Sequence, residues 1–361
     1  MITTADILNM PPYGANKEQK KVLLNDALLK LTQHHYQYSD LYKKMIDGMD
    51  FDPGKKYQYT DLPFLPVRLF KMFDLYSVEK EAVIKTMTSS GTTGQAVSKI
   101  FLDKETAADQ TRALTKIVSS FIGQQRTPML IIDSESVIKD RNLFSARGAG
   151  ILGFSIFGSK KIYALDDKME LDLPLVMNFL ETHEGERIFI FGFTFMIWQA
   201  LYKELIKKNV KLDLSNAVLI HGGGWKKLAA ESVSHTEFKK KLHDVSGLEE
   251  VHDYYGMVEQ TGSIYMECEC GYLHAPLFSD VIIRRPEDFS LAGIGEKGIV
   301  QVVSILPKSY PGHSLLTEDE GVLLGEDDCD CGRLGKYFTL NGRIKNAEIR
   351  GCSDVYAENF A

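Results

Sequence analysis

Two short apolar runs with a helical stretch between them constrain the fold of this chain most strongly. The runs Ile188–Gly192 and Ala217–His221 have the length of buried strands, and residues 195–208 between them have helical spacing. A third run, Met129–Asp133, follows a predicted helix over residues 103–123. Strands that alternate with helices form a parallel sheet covered by helices. We therefore predict an α/β fold, in which ligands bind at the carboxyl ends of the strands.

A segment rich in hydroxyl groups and glycine precedes the helix at residues 103–123, with five hydroxyl side chains and two glycines between Met87 and Gly94. Glycine lets the backbone approach an anion, successive N–H groups can converge on it, and hydroxyl groups add donors. The segment lacks the Gly-Lys-Ser/Thr ending of a kinase-type P-loop. It suits a phosphate-binding loop, with a flexible turn as the alternative. The loop residues are Ser89, Ser90, Gly91, Thr92, Thr93 and Gly94.

The order Ser-Ser-Gly-Thr-Thr-Gly resembles the phosphate-binding loop of the adenylate-forming enzymes, which include acyl-CoA synthetases, luciferases and peptide-synthetase adenylation domains. Further motifs of that superfamily follow in the expected order. They are Gly222–Gly224, Tyr255-Gly-Met-Val-Glu259, Gly295-Glu-Lys-Gly298, Thr317-Glu-Asp319 and Gly342-Arg343. The resemblance implies ATP as a substrate and an adenylate-forming large-domain fold, with parallel sheets covered by helices and a small β-barrel-like region.

The resemblance also implies a role for each motif. Glu259 holds Mg²⁺ on the phosphates, Asp319 accepts both ribose hydroxyl groups, as a carboxylate can, and Arg343 contacts the nucleotide. Adenine packs against residues that follow two predicted strands, although three successive glycines also suit a simple turn. These residues are His221, Gly222, Gly223 and Gly224 after the first strand, and Tyr255, Gly256 and Met257 after the second.

The chain departs from the superfamily pattern at three points. Val258 stands where threonine is usual, which removes a hydroxyl group near the α-phosphate. Glu318 replaces a glycine, so we expect the local turn to differ. The superfamily usually continues past the Gly-Arg motif into a mobile C-terminal domain that carries a lysine used in adenylation. This chain stops at Ala361, so we expect that lid domain and its lysine to be absent.

Three segments are similar to the LuxE-type acyl-protein synthetases, and this resemblance covers nearly the whole chain. They are Asp61–Lys71, His221–Lys226 and Gly342–Ser353. The resemblance implies activation of a fatty acid as an acyl adenylate and transfer of the acyl group to Cys352. Nearby Lys345 and Arg350 favour the reactive thiolate of that cysteine. It also implies an acyl-accepting or reductase protein as a partner.

Four of the five cysteines form two short pairs, Cys268-x-Cys270 and Cys329-x-Cys331, each followed by glycine. Thiolate pairs on tight turns are one way to place four sulfurs around Zn²⁺. His274 can replace one of these sulfurs. We predict a structural zinc that ties two hairpins together, with incidental buried thiols as the alternative.

The length of the chain suggests two domains or one large domain with subdomains. A chain of 361 residues with 44% hydrophobic content can bury a substantial core. Two amphipathic helices are predicted over residues 17–48, and an extended wall between Tyr59 and Lys71, where two prolines exclude regular helix. The predicted regions are helical (1–85), nucleotide-binding α/β (86–261), β-rich with the zinc site (262–345), and a tail that carries Cys352 (346–361).

Charge and hydropathy argue against several other classes of protein. A net charge of −7 disfavours a nucleic-acid-binding surface. The first residues do not resemble a secretory signal, and the run Ile188–Leu201 is too short and too interrupted to span a bilayer. The cysteines fit thiols or metal ligands better than disulfides. We therefore expect a soluble, cytoplasmic protein.

Two alternative functions share the same motifs. The acyl group can pass to coenzyme A or a carrier protein, or the chain can be a degenerate module that binds a nucleotide or a partner without turnover. Intact Glu259, Asp319 and Arg343 favour an enzyme. The apolar stretches Ile188–Trp198 and Pro63–Phe70 suggest an acyl pocket, although core packing explains the same residues, so the acid is left unidentified.

Overall fold

The computed structural model describes residues 2–89, 97–139, 146–225 and 231–344. The chain divides into two compact units. The first unit comprises Met1–Ile117, Gly256–Tyr265 and Tyr272–Ala361, and the second comprises Val118–Tyr255 and Met266–Gly271. This division differs from the predicted regions, because the N-terminal helices group with the late β-strands.

The helices and strands of the described residues alternate through the middle of the chain and are mostly strands near its end. The helices are α1 (Thr4–Asn9), α2 (Lys17–Tyr38), α3 (Asp40–Asp47), α4 (Leu69–Met72), α5 (Lys104–Ile122), α6 (Ser136–Lys139), α7 (Ala146–Phe154), α8 (Leu173–Thr182), α9 (Thr194–Met196), α10 (Lys203–Lys208) and α11 (His235–Ser246). The strands are β1 (Leu65–Pro66), β2 (Lys85–Thr88), β3 (Lys99–Leu102), β4 (Thr127–Ser134), β5 (Gly158–Leu165), β6 (Ile188–Phe193), β7 (Ala217–Gly222), β8 (Glu250–Tyr255), β9 (Tyr265–Glu267), β10 (Leu273–His274), β11 (Ser279–Arg284), β12 (Lys297–Ser304), β13 (Ser314–Glu326) and β14 (Lys336–Arg343). None of the described helices combines the length and apolar character that a membrane crossing requires.

The second unit contains the predicted parallel sheet. Its strands run in the order β8-β7-β6-β4-β5, and every neighbouring pair is parallel. All six residues of β6 and of β7 are buried, which explains their continuous apolar runs. Between these two strands the helical segment includes a π-helical turn at Ile197–Tyr202. The α/β prediction is therefore confirmed.

The first unit holds antiparallel strands in the order β11-β12-β13-β14-β10. Strand β1 pairs in parallel with β13, and β2 pairs with β3 as a separate hairpin. Among the described strands, β11 neighbours β12 alone and does not pair with β10, so these strands do not close on themselves. The barrel-like closure expected from the resemblance is therefore not formed.

The two predicted N-terminal helices are present, and local capping explains where they begin. The Asn16 side chain accepts a hydrogen bond from the backbone of Gln19, and the Gln19 side chain returns one to the backbone of Asn16. Leu23 and Leu28 of α2 are buried, as an amphipathic helix requires. Val22 is apolar too, yet it is 68% exposed. The buried face of α2 instead includes the polar residue Lys20.

A buried charge network joins α2 to the antiparallel strands of the first unit. The Lys20 ammonium donates to Asp280 Oδ1 at 3.0 Å, and Lys336 donates to Asp280 Oδ2 at 2.7 Å. The Tyr59 hydroxyl donates to Oδ2 of the same carboxylate at 2.6 Å. Burial alone would raise the pKa of Asp280, but the two lysines and Tyr59 reverse this and hold it at about 2. One carboxylate thus compensates two buried ammonium groups.

Replacing Asp280 with alanine is expected to lower the free energy of unfolding by about 3–5 kcal/mol, because it leaves two buried lysines without their counter-charge. Urea unfolding at pH 7 measures this loss. Asp26→Ala is the control, since its 2.6 Å pair with Lys30 lies on the surface and contributes about 0.5 kcal/mol. Equal effects of the two substitutions would contradict the prediction.

The same network predicts a pH dependence. The pKa of Asp280 is lower in the folded state than its unfolded value of 3.8. The stabilisation is therefore complete above the unfolded pKa and is lost as the pH falls from there toward about 2. Over this acid range, the difference in stability between the wild type and Asp280→Ala should shrink.

Candidate active site

Glu259 lies in the first unit on a single 3₁₀ turn, Val258–Gln260, whose backbone is fixed from several sides. The Tyr310 hydroxyl donates to the carbonyl of Glu259 at 2.9 Å. The Gln260 amide donates to the carbonyls of Val302 and Gly312. These bonds attach the turn to the antiparallel strands, so the position of the Glu259 side chain is set by the core of the unit.

A glycine just beyond the turn allows it to approach helix α5. Gly262 has φ +87°, and a Cβ at this position would lie 2.5 Å from the carbonyl oxygen of Gln110. No other residue fits there without moving the backbone of one of the two segments. The close approach therefore requires glycine and adds a second constraint on the position of Glu259.

The Glu259 side chain is a buried carboxylate without an ion pair. The residue is 5% exposed, and no described lysine, arginine or histidine lies within salt-bridge distance of it. Burial raises its pKa, while the Ser98 hydroxyl and the Lys71 ammonium act to lower it, and Glu318 raises it further. A buried carboxylate in this state is a good ligand for a hard divalent cation, which prefers oxygen atoms.

Two serines join the ends of the predicted phosphate loop within the first unit. The Ser89 backbone donates to the Ser98 carbonyl at 3.1 Å, and the Ser98 backbone donates to the Ser89 hydroxyl at 2.9 Å. Ser90, Gly91, Thr92, Thr93 and Gly94 lie outside the described residues. The base of the loop is therefore defined, and because Ser98 influences the pKa of Glu259, that base lies close to the buried carboxylate.

A β-bulge positions the predicted ribose and nucleotide residues in the same unit. Asp319 on β13 is opposite Arg343 on β14, and the register shifts between Glu320 and Gly321. Gly342 has φ +101°, which is typical of the glycine in such a bulge. Bulges of this kind reorient side chains at the end of a ladder. The glycine of the Gly-Arg motif therefore has a structural reason.

The segment Thr317–Asp319 does not form a turn. It continues as extended backbone in β13, where the Thr317 hydroxyl donates to the Val300 carbonyl at 2.7 Å. The Ile344 backbone donates to the Glu318 carbonyl at 3.0 Å. The absence of a glycine at position 318 is thus explained, since a strand residue needs no special backbone conformation there.

In the second unit, His221 lies at the carboxyl end of β7 and is 2% exposed. Burial lowers its pKa to about 3, so the ring is neutral. Its Nδ1 lies 2.9 Å from the Thr194 hydroxyl, which donates to the carbonyl of Gly222. A proton on Nδ1 would suit both contacts of Thr194 and would leave Nε2 as an acceptor. The buried Nε2 has no hydrogen-bond partner among the described residues.

The three glycines after His221 have different structural reasons. A Cβ on Gly222 would collide with the ring of Tyr254 on the neighbouring strand. Gly223 has φ +77°, and no atom of a described residue lies within 4 Å of the position of a Cβ on Gly224. Packing therefore explains the first glycine and backbone conformation the second. The described residues leave the third glycine uncrowded.

Asp253 lies beside His221, although the sequence patterns did not single it out. It is opposite His221 in the β7–β8 register, with 3.6 Å between Nδ1 and Oδ1. Burial and the charge of Glu267 raise its pKa to about 7, although His235 acts in the opposite direction. The only signal in the sequence was its position two residues before the end of a predicted strand.

Glu267 collects several donors beside Asp253. Lys239 lies 3.0 Å from its Oε2, and the Asp253 backbone donates to the same oxygen at 3.0 Å. Burial would raise the pKa of Glu267, but His235, Lys239 and this backbone bond lower it to about 2. Two neighbouring carboxyl groups thus have pKa values moved in opposite directions, which is characteristic of functional sites.

The described cysteines do not all belong to one cluster of possible metal ligands. In the first unit, the ligand atoms of His274, Cys329 and Cys331 lie within 4.8 Å of one another. The distance between Cys331 Sγ and His274 Nε2 is 3.4 Å, close to the ~3.5 Å between two ligands of a tetrahedral Zn²⁺. Cys268 is buried, whereas Cys270 is exposed and does not belong to this group.

The predicted wall between Tyr59 and Lys71 is partly extended and partly helical. Leu65, Leu69 and Phe70 are buried in the core of the first unit. Pro63 and Phe64 border a cavity of about 320 Å³. Core packing therefore accounts for most of this segment, and its role in an acyl pocket stays a prediction. Cys352 lies outside the described residues.

A family model described as acyl-protein synthetase, LuxE, matches residues 2–361. The chain belongs to the LuxE family. This membership confirms the resemblance inferred from the motifs. It identifies the chain as an AMP-forming ligase that activates a carboxylic acid as an acyl adenylate.

Two curated relatives are similar over most of this LuxE-family chain. A long-chain-fatty-acid–luciferin-component ligase of Vibrio harveyi is 21% identical over 98% of this chain and 92% of its own length. The ligase of the same name from Aliivibrio fischeri is 21% identical over 88% of this chain and 83% of its own. Among solved structures, a 2-hydroxyisobutyryl-CoA ligase superposes with a TM-score of 0.69 at 14% identity, covering 94% of this chain and 75% of that one. That likeness establishes the adenylate-forming fold.

The raised pKa of Asp253 predicts a pH-dependent stability. Between its unfolded pKa of 3.8 and about 7 the folded state retains a proton that the unfolded state has released, so stability falls as the pH rises. Asp253→Asn removes this cost. The Tm of the variant should therefore gain roughly 2–4 °C on the wild type between pH 5 and pH 8.

Thermal unfolding at pH 5, 6, 7 and 8 measures this gain. Asp244→Asn is the matched control, because Asp244 is exposed and its pKa is lowered by Lys240, so it stays ionised over the whole range. A Tm difference for Asp253→Asn that does not change with pH would show that the carboxyl group is already ionised at pH 5.

Proposed function

We propose that this LuxE-family chain activates a fatty acid as its acyl adenylate and then holds the acyl group as a thioester on Cys352. The observation that carries the proposal is the buried carboxylate of Glu259, which forms no ion pair with a described residue. It shares one unit with the base of the hydroxyl-rich loop and with Asp319 and Arg343. The name of the Vibrio harveyi relative supports a long-chain fatty acid as the substrate.

In the first step, a carboxylate oxygen of the fatty acid attacks the α-phosphorus of ATP. An oxygen–phosphorus bond forms, the bond to the β-phosphate oxygen breaks, and pyrophosphate leaves with the electron pair. Glu259 is the residue that would hold Mg²⁺, which neutralises charge on the phosphates when bound. Asp319 accepts hydrogen bonds from the ribose hydroxyls, and the loop from Ser89 to Gly94 donates to the phosphates.

Adenine recognition is proposed for the residues of the second unit. The acceptor Nε2 of His221 is buried and suits the exocyclic amine of adenine. The described residues leave Gly224 uncrowded, which suits the planar base. Tyr255, Gly256 and Met257 are the remaining residues proposed for this part of the nucleotide.

In the second step, the Cys352 thiolate attacks the carbonyl carbon of the acyl adenylate. A carbon–sulfur bond forms, the acyl–phosphate bond breaks, and AMP leaves. An acyl-accepting or reductase protein would then receive the acyl group from the thioester. We place this reaction in the cytoplasm, where ATP is available.

ATP–pyrophosphate exchange that depends on a fatty acid tests the first step. Glu259→Gln should reduce the exchange by about 10²–10³, since it removes the carboxylate proposed for Mg²⁺. Cys352→Ser should leave exchange unchanged and abolish covalent labelling of the chain by radioactive fatty acid. Loss of exchange in Cys352→Ser would contradict the assignment of that cysteine to the second step.

Two further measurements identify the acid that is activated and the final acceptor of the acyl group. A panel of fatty, aromatic and amino acids identifies the substrate class by exchange rate. Product analysis with coenzyme A present separates thioester formation on the chain from formation of an acyl-CoA. Exchange with aromatic acids alone would overturn the proposed substrate.

We further propose a structural zinc ion held by Cys268, His274, Cys329 and Cys331. His274, Cys329 and Cys331 already lie at ligand distances from one another, and their donor set suits Zn²⁺. Cys268 is buried and precedes His274 by only six residues. Cys270, which the sequence pattern included, is exposed and is therefore replaced by His274 in this proposal.

Elemental analysis of the purified chain should find about one zinc per molecule. Cys331→Ser should lose the metal and lower the Tm, because a structural metal contributes to folding directly. Cys270→Ser is the matched control and should retain the zinc ion and the wild-type Tm. The zinc site would be excluded if the purified wild type held no zinc and Cys331→Ser had the same Tm as the wild type.

A further inference from the structure

Helix α4 is a single turn whose position is set by strand β1. Leu65 and Pro66 pair in parallel with Leu315 and Leu316 of β13. The Val67 backbone continues this pairing with a 2.9 Å bond to the Leu316 carbonyl. Residues 69–72 therefore begin beside the part of β13 that leads from Leu316 into Asp319.

Helix α4 and the turn that carries Glu259 both pack on strand β3. This strand begins at Lys99, directly after Ser98, which closes the base of the hydroxyl-rich loop. Three segments of the first unit are thus adjacent: the helix, the first residues after the loop, and the glutamate turn. The arrangement brings Lys71, on the third position of α4, to the region of the loop base.

Lys71 is exposed, and its ammonium group forms no ion pair or hydrogen bond with a described residue. It is close enough to Glu259 to lower the pKa of that carboxyl group, and Glu318 acts on the same group with the opposite sign. An exposed cation within electrostatic range of Glu259, with no ion pair among the described residues, is available to bind an anion. Lysine binds phosphate as a compact point charge.

We propose that Lys71 is a catalytic residue of the adenylation step, which binds the β- and γ-phosphates of ATP and stabilises the departing pyrophosphate. This inference rests on the proposed function. When the bond between the α-phosphorus and the bridging oxygen breaks, the electron pair moves onto the pyrophosphate and its negative charge grows. A positioned ammonium group interacts more strongly with this charge in the transition state than with bound ATP. The proton stays on Lys71 throughout.

The position of Lys71 favours the phosphates over the fatty-acid carboxylate as its ligand. The helix lies against the strand that leaves the loop, and Glu259, the proposed Mg²⁺ ligand, is in its electrostatic range. Glu259 would hold a metal ion that neutralises phosphate charge, and the Lys71 ammonium would add a second positive charge for the leaving group. Both Lys71 and Glu259 belong to the first unit, so this compensation of the pyrophosphate charge uses residues of that unit alone.

The test compares Lys71→Gln, Lys71→Arg and the control Lys56→Gln, which removes an equally exposed lysine from a loop of the same unit. Lys71→Gln should reduce kcat for fatty-acid-dependent ATP–pyrophosphate exchange by about 10²–10³, with a smaller change in KM for ATP. Lys71→Arg keeps the charge and should retain at least about a tenth of the rate. Lys56→Gln should match the wild type.

Circular dichroism and Tm confirm that the variants are folded, and a purely structural role would lower Tm without the split between kcat and KM. Exchange by Lys71→Gln at the rate of Lys56→Gln would overturn the inference while the proposed function stands. Absence of exchange in the wild type would instead refute the proposed function. In that case equilibrium binding of MgATP decides about Lys71: about tenfold weaker binding by Lys71→Gln supports its contact with phosphate, and equal binding overturns it.

Discussion

The burial of the Glu259 carboxylate, which forms no ion pair within the described part of the chain, is the constraint on which the proposed site depends. Removing Glu259 from water disfavours its charged form, and its raised pKa expresses that cost. The surrounding bonds from Tyr310 and Gln260 hold the backbone, so the side chain has little freedom to reach water. A fold tolerates such a group where a ligand compensates the charge. The rest of the first unit is arranged around this group.

The residues proposed to bind ATP differ in kind between the two units. The first unit supplies charged side chains, Glu259, Asp319 and Arg343, on a turn and on paired strands fixed by a bulge. The second unit supplies a neutral histidine and glycines at the carboxyl ends of parallel strands. Phosphates and ribose need charge and hydrogen-bond acceptors, whereas a base needs a flat surface and a few polar atoms. The two sets of residues match these two requirements.

Several residues that sequence patterns group with function have structural reasons of their own. Gly222 makes room for Tyr254, and Gly262 makes room for the backbone of Gln110. The apolar residues of β6 and β7 fill the core of the second unit. A motif in this fold thus contains residues proposed to bind a ligand and residues that allow neighbouring segments to pack closely. Only the contacts that a residue makes show which of these two roles it has.

The order of motifs and the strand–helix alternation were sufficient to predict the parallel sheet, Glu259 on a turn after β8, and the family. Local patterns determine these features, since strand length, helical spacing and turn residues act between neighbours in the chain. The membership of the Cys/His cluster could not be predicted in full, because His274 and Cys331 meet only through the pairing of β10 with β14 and the turn that follows β13. Lys71 and Asp253 were missed for the same reason: their significance comes from charges that are distant in sequence and adjacent in space. By itself the sequence determined the fold class and the reaction, whereas only the tertiary structure decided which charged groups are buried together, because burial and Coulomb interactions depend on distance through space.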